Sequence, residues 1–147
     1  MTAPLLIEQG EGMVKDTFLT KIQARVLEFR AKGLTQAEIA KRLKTSRANV
    51  CILERRARQN IARAERTLKL SAKLLAPVVL KIKPGDDIML VPRRLFSAAD
   101  ASKVNVKLDT PALIAKIRRE AYDKLKGRTV TVPMELALTA DGEVFVY

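Results

Sequence analysis

The stretch Gly33-Leu34-Thr35-Gln36-Ala37-Glu38-Ile39-Ala40-Lys41-Arg42-Leu43-Lys44-Thr45-Ser46-Arg47-Ala48-Asn49-Val50 decides how this chain folds. Thr35 stands three residues before Glu38, so its hydroxyl can accept from the Glu38 amide while the Glu38 carboxylate reaches back to the Thr35 amide. That reciprocal pairing starts a helix. Ile39, Ala40 and Leu43 supply its inward face, and Lys44-Thr45 is too short to be more than a tight connection. Ser46 is a second good N-cap, after which Val50, Leu53, Ala57 and Ile61 fall on one helical face. Two helices joined so tightly form a helix-turn-helix, here spanning roughly Thr20 to Ile61.

Working outward, Ile22, Val26 and Phe29 have the helical period, and Gly33 can take the left-handed conformation that ends helices. A first helix is therefore expected from Thr20 to Lys32. Residues 1–17 carry Gly10, Gly12 and scattered acids without a period and are expected to form a flexible arm, structure beginning near Phe18. Downstream, the stripe of the third helix continues through Ala64 and Leu68 toward Leu75 with no Gly or Pro before Pro77. One long helix, or two in series, should run to about Ala76.

Beyond Pro77 the period changes. Val78, Leu80 and Ile82 alternate with Val79, Lys81 and Lys83, Pro84-Gly85-Asp86-Asp87 has turn chemistry, and Ile88 to Val91 follows, so a hairpin is expected. A short helix after Pro92, a strand over Lys103 to Leu108, and a helix capped by Thr110 with Pro111 in its first turn come next. In that last helix Ile114, Ile117, Ala121 and Leu125 share a face and Gly127 stands at its end. Val130, Val132, Met134, Leu136 and Leu138 alternate as a strand that Pro133 confines to an edge or a bulge, and Asp141-Gly142 turns the chain into Val144 to Tyr147. The fold class is α+β: residues 18–76 form an all-α helix-turn-helix domain with an extended last helix, and residues 77–147 a small α+β domain for dimerisation or for binding an effector or partner.

Composition narrows the function. Lys and Arg number 28 against 16 Asp and Glu, a formal net charge of +12 on 147 residues, which favours a polyanionic partner. Thr20 to Lys73 carries net +11 and Ala76 to Tyr147 only +3, placing that partner on the N-terminal half. The lone Cys51 allows no internal disulfide and reads as a bystander, and the absence of histidine rules out a Cys/His zinc site or a Ser/His/Asp triad. No cofactor, metal or catalysis is expected, and Asp86 and Asp87 read as turn residues. No export signal or membrane span is evident, so a cytoplasmic location is expected.

If Val50, Leu53 and Ala57 face helices one and two, then Arg47, Ala48, Asn49, Cys51, Ile52, Arg55 and Arg56 lie on or beside the opposite face. Asn49 can pair with an adenine edge and Arg47 with a guanine edge, while Ala48 and Ile52 can touch a thymine methyl. Arg55 and Arg56 suit phosphates, and Thr35, Gln36 and Ser46 sit at helix starts where hydroxyl, amide and backbone N–H groups do the same.

The run Thr20 through Gly33, Leu34-Thr35-Gln36-Ala37-Glu38-Ile39-Ala40 and Ser46-Arg47-Ala48-Asn49-Val50 resembles the helix-turn-helix shared by region 4 of sigma factors and LuxR-type regulators. More specifically it is similar to the archaeal Tfx family, a likeness extending through Asp141-Gly142-Glu143-Val144 and covering roughly Phe18 to Tyr147. The resemblance implies an archaeal transcriptional regulator that binds double-stranded DNA. Many such motifs place glycine where this chain has Lys44, and a left-handed lysine would cost about 1 kcal/mol, which allows a differently shaped turn.

A dimer is expected, because one recognition helix reads only a few base pairs. Two surfaces offer themselves: the stripe Ile61, Ala64, Leu68 and Leu75, and the strand Val130 to Leu138. The α+β half is favoured, since Arg63, Arg66, Lys69 and Lys73 would repel their symmetry mates. That half could also touch the transcription machinery or sense a small-molecule effector. Set against this regulator is an architectural or RNA-associated basic protein without strong sequence preference.

Overall fold

The computed structural model describes residues 12–147, of which the elements run α1 (Lys21–Ala31), α2 (Gln36–Leu43), α3 (Arg47–Leu75), β1 (Val78–Ile82), α4 (Val91–Ala101), α5 (Thr110–Glu120), β2 (Leu125–Lys126), β3 (Thr129–Val130), β4 (Met134–Leu138) and β5 (Val144–Val146). Residues 1–11 of the expected arm lie outside the described residues. Residues 12–20, in contrast, are hydrogen-bonded into a turn: the Val14 amide donates to the Leu19 carbonyl at 2.8 Å, and Met13 pairs with Thr20 in an antiparallel bridge. Structure thus begins before Phe18.

The chain divides into two compact units, one ending at Thr67 and the other running from Leu68 to Tyr147. In the first, each helix begins where a hydroxyl can cap it. Thr20 and Gln23 form a capping box at α1, with the Gln23 amide donating to Thr20 Oγ1 at 3.2 Å and the Thr20 amide to Gln23 Oε1 at 3.0 Å. Thr35 and Glu38 repeat it at α2, as their spacing predicts. Gly33, at φ +86°, supplies the left-handed residue after α1. After α2 the same role falls to Lys44, at φ 53° and ψ 47°. The tight turn therefore keeps its left-handed geometry with a lysine, and the cost of about 1 kcal/mol is borne by the surrounding helices.

Those helices close over a small core of Val26, Ile39, Ala40 and Val50, with Phe29, Leu34, Leu43 and Leu53 partly buried around it. Two expected core members behave otherwise. Ile22 is exposed, because Gln23 occupies the buried position through its capping role, and Ile61 is exposed because α3 by then has left the short helices behind. The buried face of α3 is Val50, Glu54 and Ala57, so a carboxylate stands inside an otherwise apolar stripe.

In the second unit, β1, β4 and β5 form an antiparallel sheet in the order β1-β4-β5, with Leu80 opposite Leu136 and Ala137 opposite Phe145. Its apolar face, including Val78, Ile82, Leu136, Leu138 and Val144, packs with Leu95 and Ala99 of α4, with Leu113 and Ile117 of α5 and with Ala121 just beyond it. The last turns of α3 also belong to this unit: the Lys73 ammonium pairs with Glu135, Tyr147 donates its phenolic hydrogen to the Lys69 carbonyl, and the Lys69 and Lys73 ammonium groups lie 4.9 and 5.1 Å from the Tyr147 ring centroid.

Local pattern misleads at several points here. The hairpin expected after Val78 is absent because β1 pairs with β4, far along the chain, and Ile88–Leu90 forms a 3-10 turn leading into α4. Lys103 to Leu108 is not a strand. The cap of α5 is Asp109, whose carboxylate accepts from the Ala112 amide at 2.9 Å, leaving Thr110 as the first helical residue. Gly127, expected to end that helix, instead makes the β2–β3 turn at φ +62°. Pro133 does not mark an edge strand: it precedes β4, the centre of the sheet, whose Met134, Leu136, Ala137 and Leu138 are all buried. The acidic pair is structural as expected. Asp86 accepts from the Lys83 amide and from Arg94, and Asp87 from the Met89 amide and from Arg128.

Gly142, at φ +90°, donates to the Thr139 carbonyl at 3.0 Å and lies so close to the preceding loop that a Cβ would overlap the Asn105 carbonyl oxygen. Backbone strain and overlap act in the same direction, so Gly142→Ala should destabilise the α+β unit by at least about 2 kcal/mol, to be measured as a lower denaturant midpoint followed through the tyrosine signal.

Candidate nucleic-acid interface

The geometry of the candidate interface starts from Glu54. Its carboxylate is buried beneath all three helices of the N-terminal unit and accepts from Arg30 Nε of α1 at 3.1 Å, Gln36 Nε2 of α2 at 2.9 Å, and Arg58 Nε and Nη2 of α3 at 3.2 and 2.9 Å. Arg30 also donates from Nη1 to the Leu34 carbonyl at 2.8 Å, tying down the loop between α1 and α2. Burial alone pushes the Glu54 carboxyl upward, but the hydrogen bonds from Gln36, Arg58 and Arg30 outweigh it and hold the group at about 2. One ionised side chain thus sets how α2 and α3 meet.

With Val50, Glu54 and Ala57 turned inward, the opposite face of α3 is presented outward. Ala48, Ile52, Arg55 and Gln59 follow one another at helical spacing along it, and all four are exposed. Arg47, Asn49, Cys51 and Arg56 flank them, also exposed. The expected reading residues therefore share a surface. Gln59 belongs to the same line and was missed by the sequence reading, although its place four residues beyond Arg55 was a sufficient signal. Asn49 donates one amide hydrogen to Thr45 Oγ1 at 3.0 Å, which aims the side chain and leaves the second amide hydrogen for another acceptor.

The helix-start residues are less alike than their sequence positions suggest. Ser46 Oγ accepts from the Asn49 amide at 3.1 Å, so the hydroxyl can still donate outward from an exposed position. At Thr35 the amide donates to Glu38 Oε2 at 2.7 Å, and the same pairing holds the Glu38 carboxyl below the usual carboxylate range. A carboxylate therefore already occupies that helix start. Gln36 is half-buried with its amide on Glu54, a structural engagement that its position in the sequence did not reveal. Arg25 and Arg42 lie over the Phe29 ring at 5.9 and 5.5 Å, so part of the basic character is also anchored to the apolar core.

Comparison with known proteins bears on what such a surface does. Residues 19–63 match the family described as region 4 of sigma-70, and residues 64–146 match the C-terminal domain of the DNA-binding protein Tfx. A candidate transcriptional regulatory protein of Methanocaldococcus jannaschii is 40% identical over 134 residues, covering 91% of this chain and 98% of the relative. The chain belongs to the Tfx family of DNA-binding regulators. Within that family, the DNA-binding protein Tfx of Methanothermobacter thermautotrophicus is 37% identical over 134 residues, covering 91% of this chain and 97% of its own. A candidate transcriptional regulatory protein of Pyrococcus abyssi is 50% identical over 118 residues, covering 79% and 81%. No helix among the described residues is long and apolar enough to cross a membrane.

The Glu54 cluster has a measurable pH signature. A carboxyl lowered from the ordinary 4.5 to about 2 contributes stability that is complete above 4.5 and is lost as pH falls toward 2. Its size is on the order of 3 kcal/mol. Glu54→Gln keeps the shape but removes the charge facing Arg30 and Arg58. Because both arginines can turn to solvent, the loss should be about 2 kcal/mol rather than the larger figure for a sealed pair. Amide exchange at Val26 and Ile39 should show that loss at neutral pH, and an acid titration of the variant should lack the step between pH 4.5 and 2.

Proposed function

We propose that this Tfx-family protein is a sequence-specific transcriptional regulator that inserts the start of α3, from Ser46 onward, into the major groove of double-stranded DNA. The observation that carries the reading is the exposed face of α3, where Arg47, Ala48, Asn49, Ile52, Arg55 and Arg56 stand together opposite a face locked by Val50, Glu54 and Ala57. Arg47 is assigned to a guanine edge and Asn49 to an adenine edge, each able to make two hydrogen bonds to one base. Ala48 and Ile52 supply apolar contact suited to a thymine methyl. Arg55 and Arg56, a turn or two along, meet phosphates, joined by the Ser46 hydroxyl; at the neighbouring helix start Glu38 takes the Thr35 amide, which leaves only the Thr35 hydroxyl hydrogen to donate. Gln36 acts mainly through Glu54, holding α2 against α3.

Recognition of this kind needs no cofactor or metal and no catalytic step. Electrostatic attraction from the net +11 between Thr20 and Lys73 supplies affinity without information, and the base contacts supply preference.

Two measurements test the assignment. Binding to a selected duplex should weaken steeply with salt, each phosphate contact adding about −0.9 to the log-log slope; a flat titration would reject DNA binding. Arg47→Ala and Asn49→Ala should each weaken the preferred site by about 1–3 kcal/mol and relax one base step, while Arg55→Ala should weaken preferred and random duplexes alike. Equal losses on both duplexes for all three variants would favour a basic architectural protein without sequence preference.

A further inference from the structure

The last two turns of α3 carry an apolar surface that the folded chain does not cover. Leu68, Leu70, Leu74 and Leu75 are 70, 54, 73 and 81% exposed. On the opposite side of the same turns, Lys73 is drawn to Glu135 and both Lys69 and Lys73 lie over the Tyr147 ring. The outward residues between Thr67 and Ala76 are therefore Leu68, Leu70, Ser71, Leu74 and Leu75, without a charge among them.

We propose that this leucine face is the interface with a second copy of the chain, the two helix ends packing together as a homodimer. Charge selects the occupant. A copy of a protein with net charge +12 is repelled from most of this surface, and the uncharged turns of α3 are where it can approach. An acidic partner would gain nothing from them. Of the four cations expected to repel, Lys69 and Lys73 are held on the sheet side, while the exposed Arg63 and Arg66 stand before the uncharged turns. The alternative strand, Val130 to Leu138, is unsuitable, since β4 is the buried centre of its sheet.

Four leucines exposed to this degree amount to several hundred Å² of apolar surface per copy. That is within reach of the roughly 600 Å² that a specific dimer needs on each side, and more than scattered surface leucines would present. Leu68 and Leu75 are seven residues apart and Leu70 and Leu74 four apart, so the two pairs flank Ser71 and make one broad face turned away from Lys69 and Lys73.

Sedimentation of the full chain without DNA tests this directly. The wild type should be a dimer at micromolar concentration. The double variant Leu68→Glu, Leu75→Glu should be a monomer that still unfolds cooperatively, its dissociation constant weaker by at least about a hundredfold. Tyr122→Ser, at an exposed position outside α3, should leave the mass unchanged. A monomeric wild type, or a folded double variant that still dimerises, overturns the proposal. Should the double variant fail to fold, Leu74→Cys in a Cys51→Ser background decides: oxidation should link the copies in high yield, and failure to link overturns the interface. The mass is read without DNA, so an absence of sequence preference would sink only the regulator reading.

Discussion

The buried carboxylate of Glu54 is the interaction on which the N-terminal unit depends. Only five apolar side chains among the described residues are buried there, and a core of that size leaves a margin of a few kcal/mol at most. A cluster worth a comparable amount is therefore not an accessory. Apolar packing is also indifferent to small rotations, whereas Glu54 must meet Arg30, Gln36 and Arg58 at hydrogen-bond distance from three different helices at once. That geometric demand fixes the angle between α2 and α3, and with it the direction in which the outer face of α3 points.

The same arrangement sorts the arginines. Arg30 and Arg58 are committed to Glu54 and contribute to shape, while Arg47, Arg55 and Arg56 remain on the exposed side. The net charge of +9 between Thr20 and Thr67 is thus not spread evenly over the unit. The inward carboxylate draws some of the basic side chains to itself, and the outward face of α3 keeps the rest beside two residues, Asn49 and Ile52, that carry no charge. Family membership and this surface agree on the class of partner.

A comparable division of labour operates in the α+β unit. Tyr147 receives two ammonium groups over its ring and donates its hydroxyl hydrogen to the Lys69 carbonyl, so the residue following β5 and the end of the long helix stabilise one another. Turning lysines toward the sheet leaves leucines turned away from it, which is the reverse of what amphipathic helices usually do. The inversion is affordable for a helix whose inward contacts are ionic and aromatic rather than aliphatic.

By itself the sequence determined several features whose cause lies within a few residues, although it placed the α5 cap one residue late. The Thr35–Glu38 box, the Ser46 cap, a helical stretch unbroken to about Ala76 and the Asp141-Gly142 turn follow from local hydrogen bonding and from where Gly and Pro stand, and the exposed side of α3 follows from its stripe. Tertiary structure alone decided what depends on groups far apart in the chain. Glu54 reads as an ordinary polar break in a stripe until Arg30, from another helix, is placed against it. The partner of β1 is β4 rather than the next segment, because burying one sheet face under α4 and α5 gains more than a nearby turn can offer. Likewise, no local pattern says that Lys69 and Lys73 face inward, since Tyr147 and Glu135 reach them from the other end of the chain. Short-range hydrogen bonding is written in spacing, whereas the burial of a charge or a strand depends on what the folded chain brings to it.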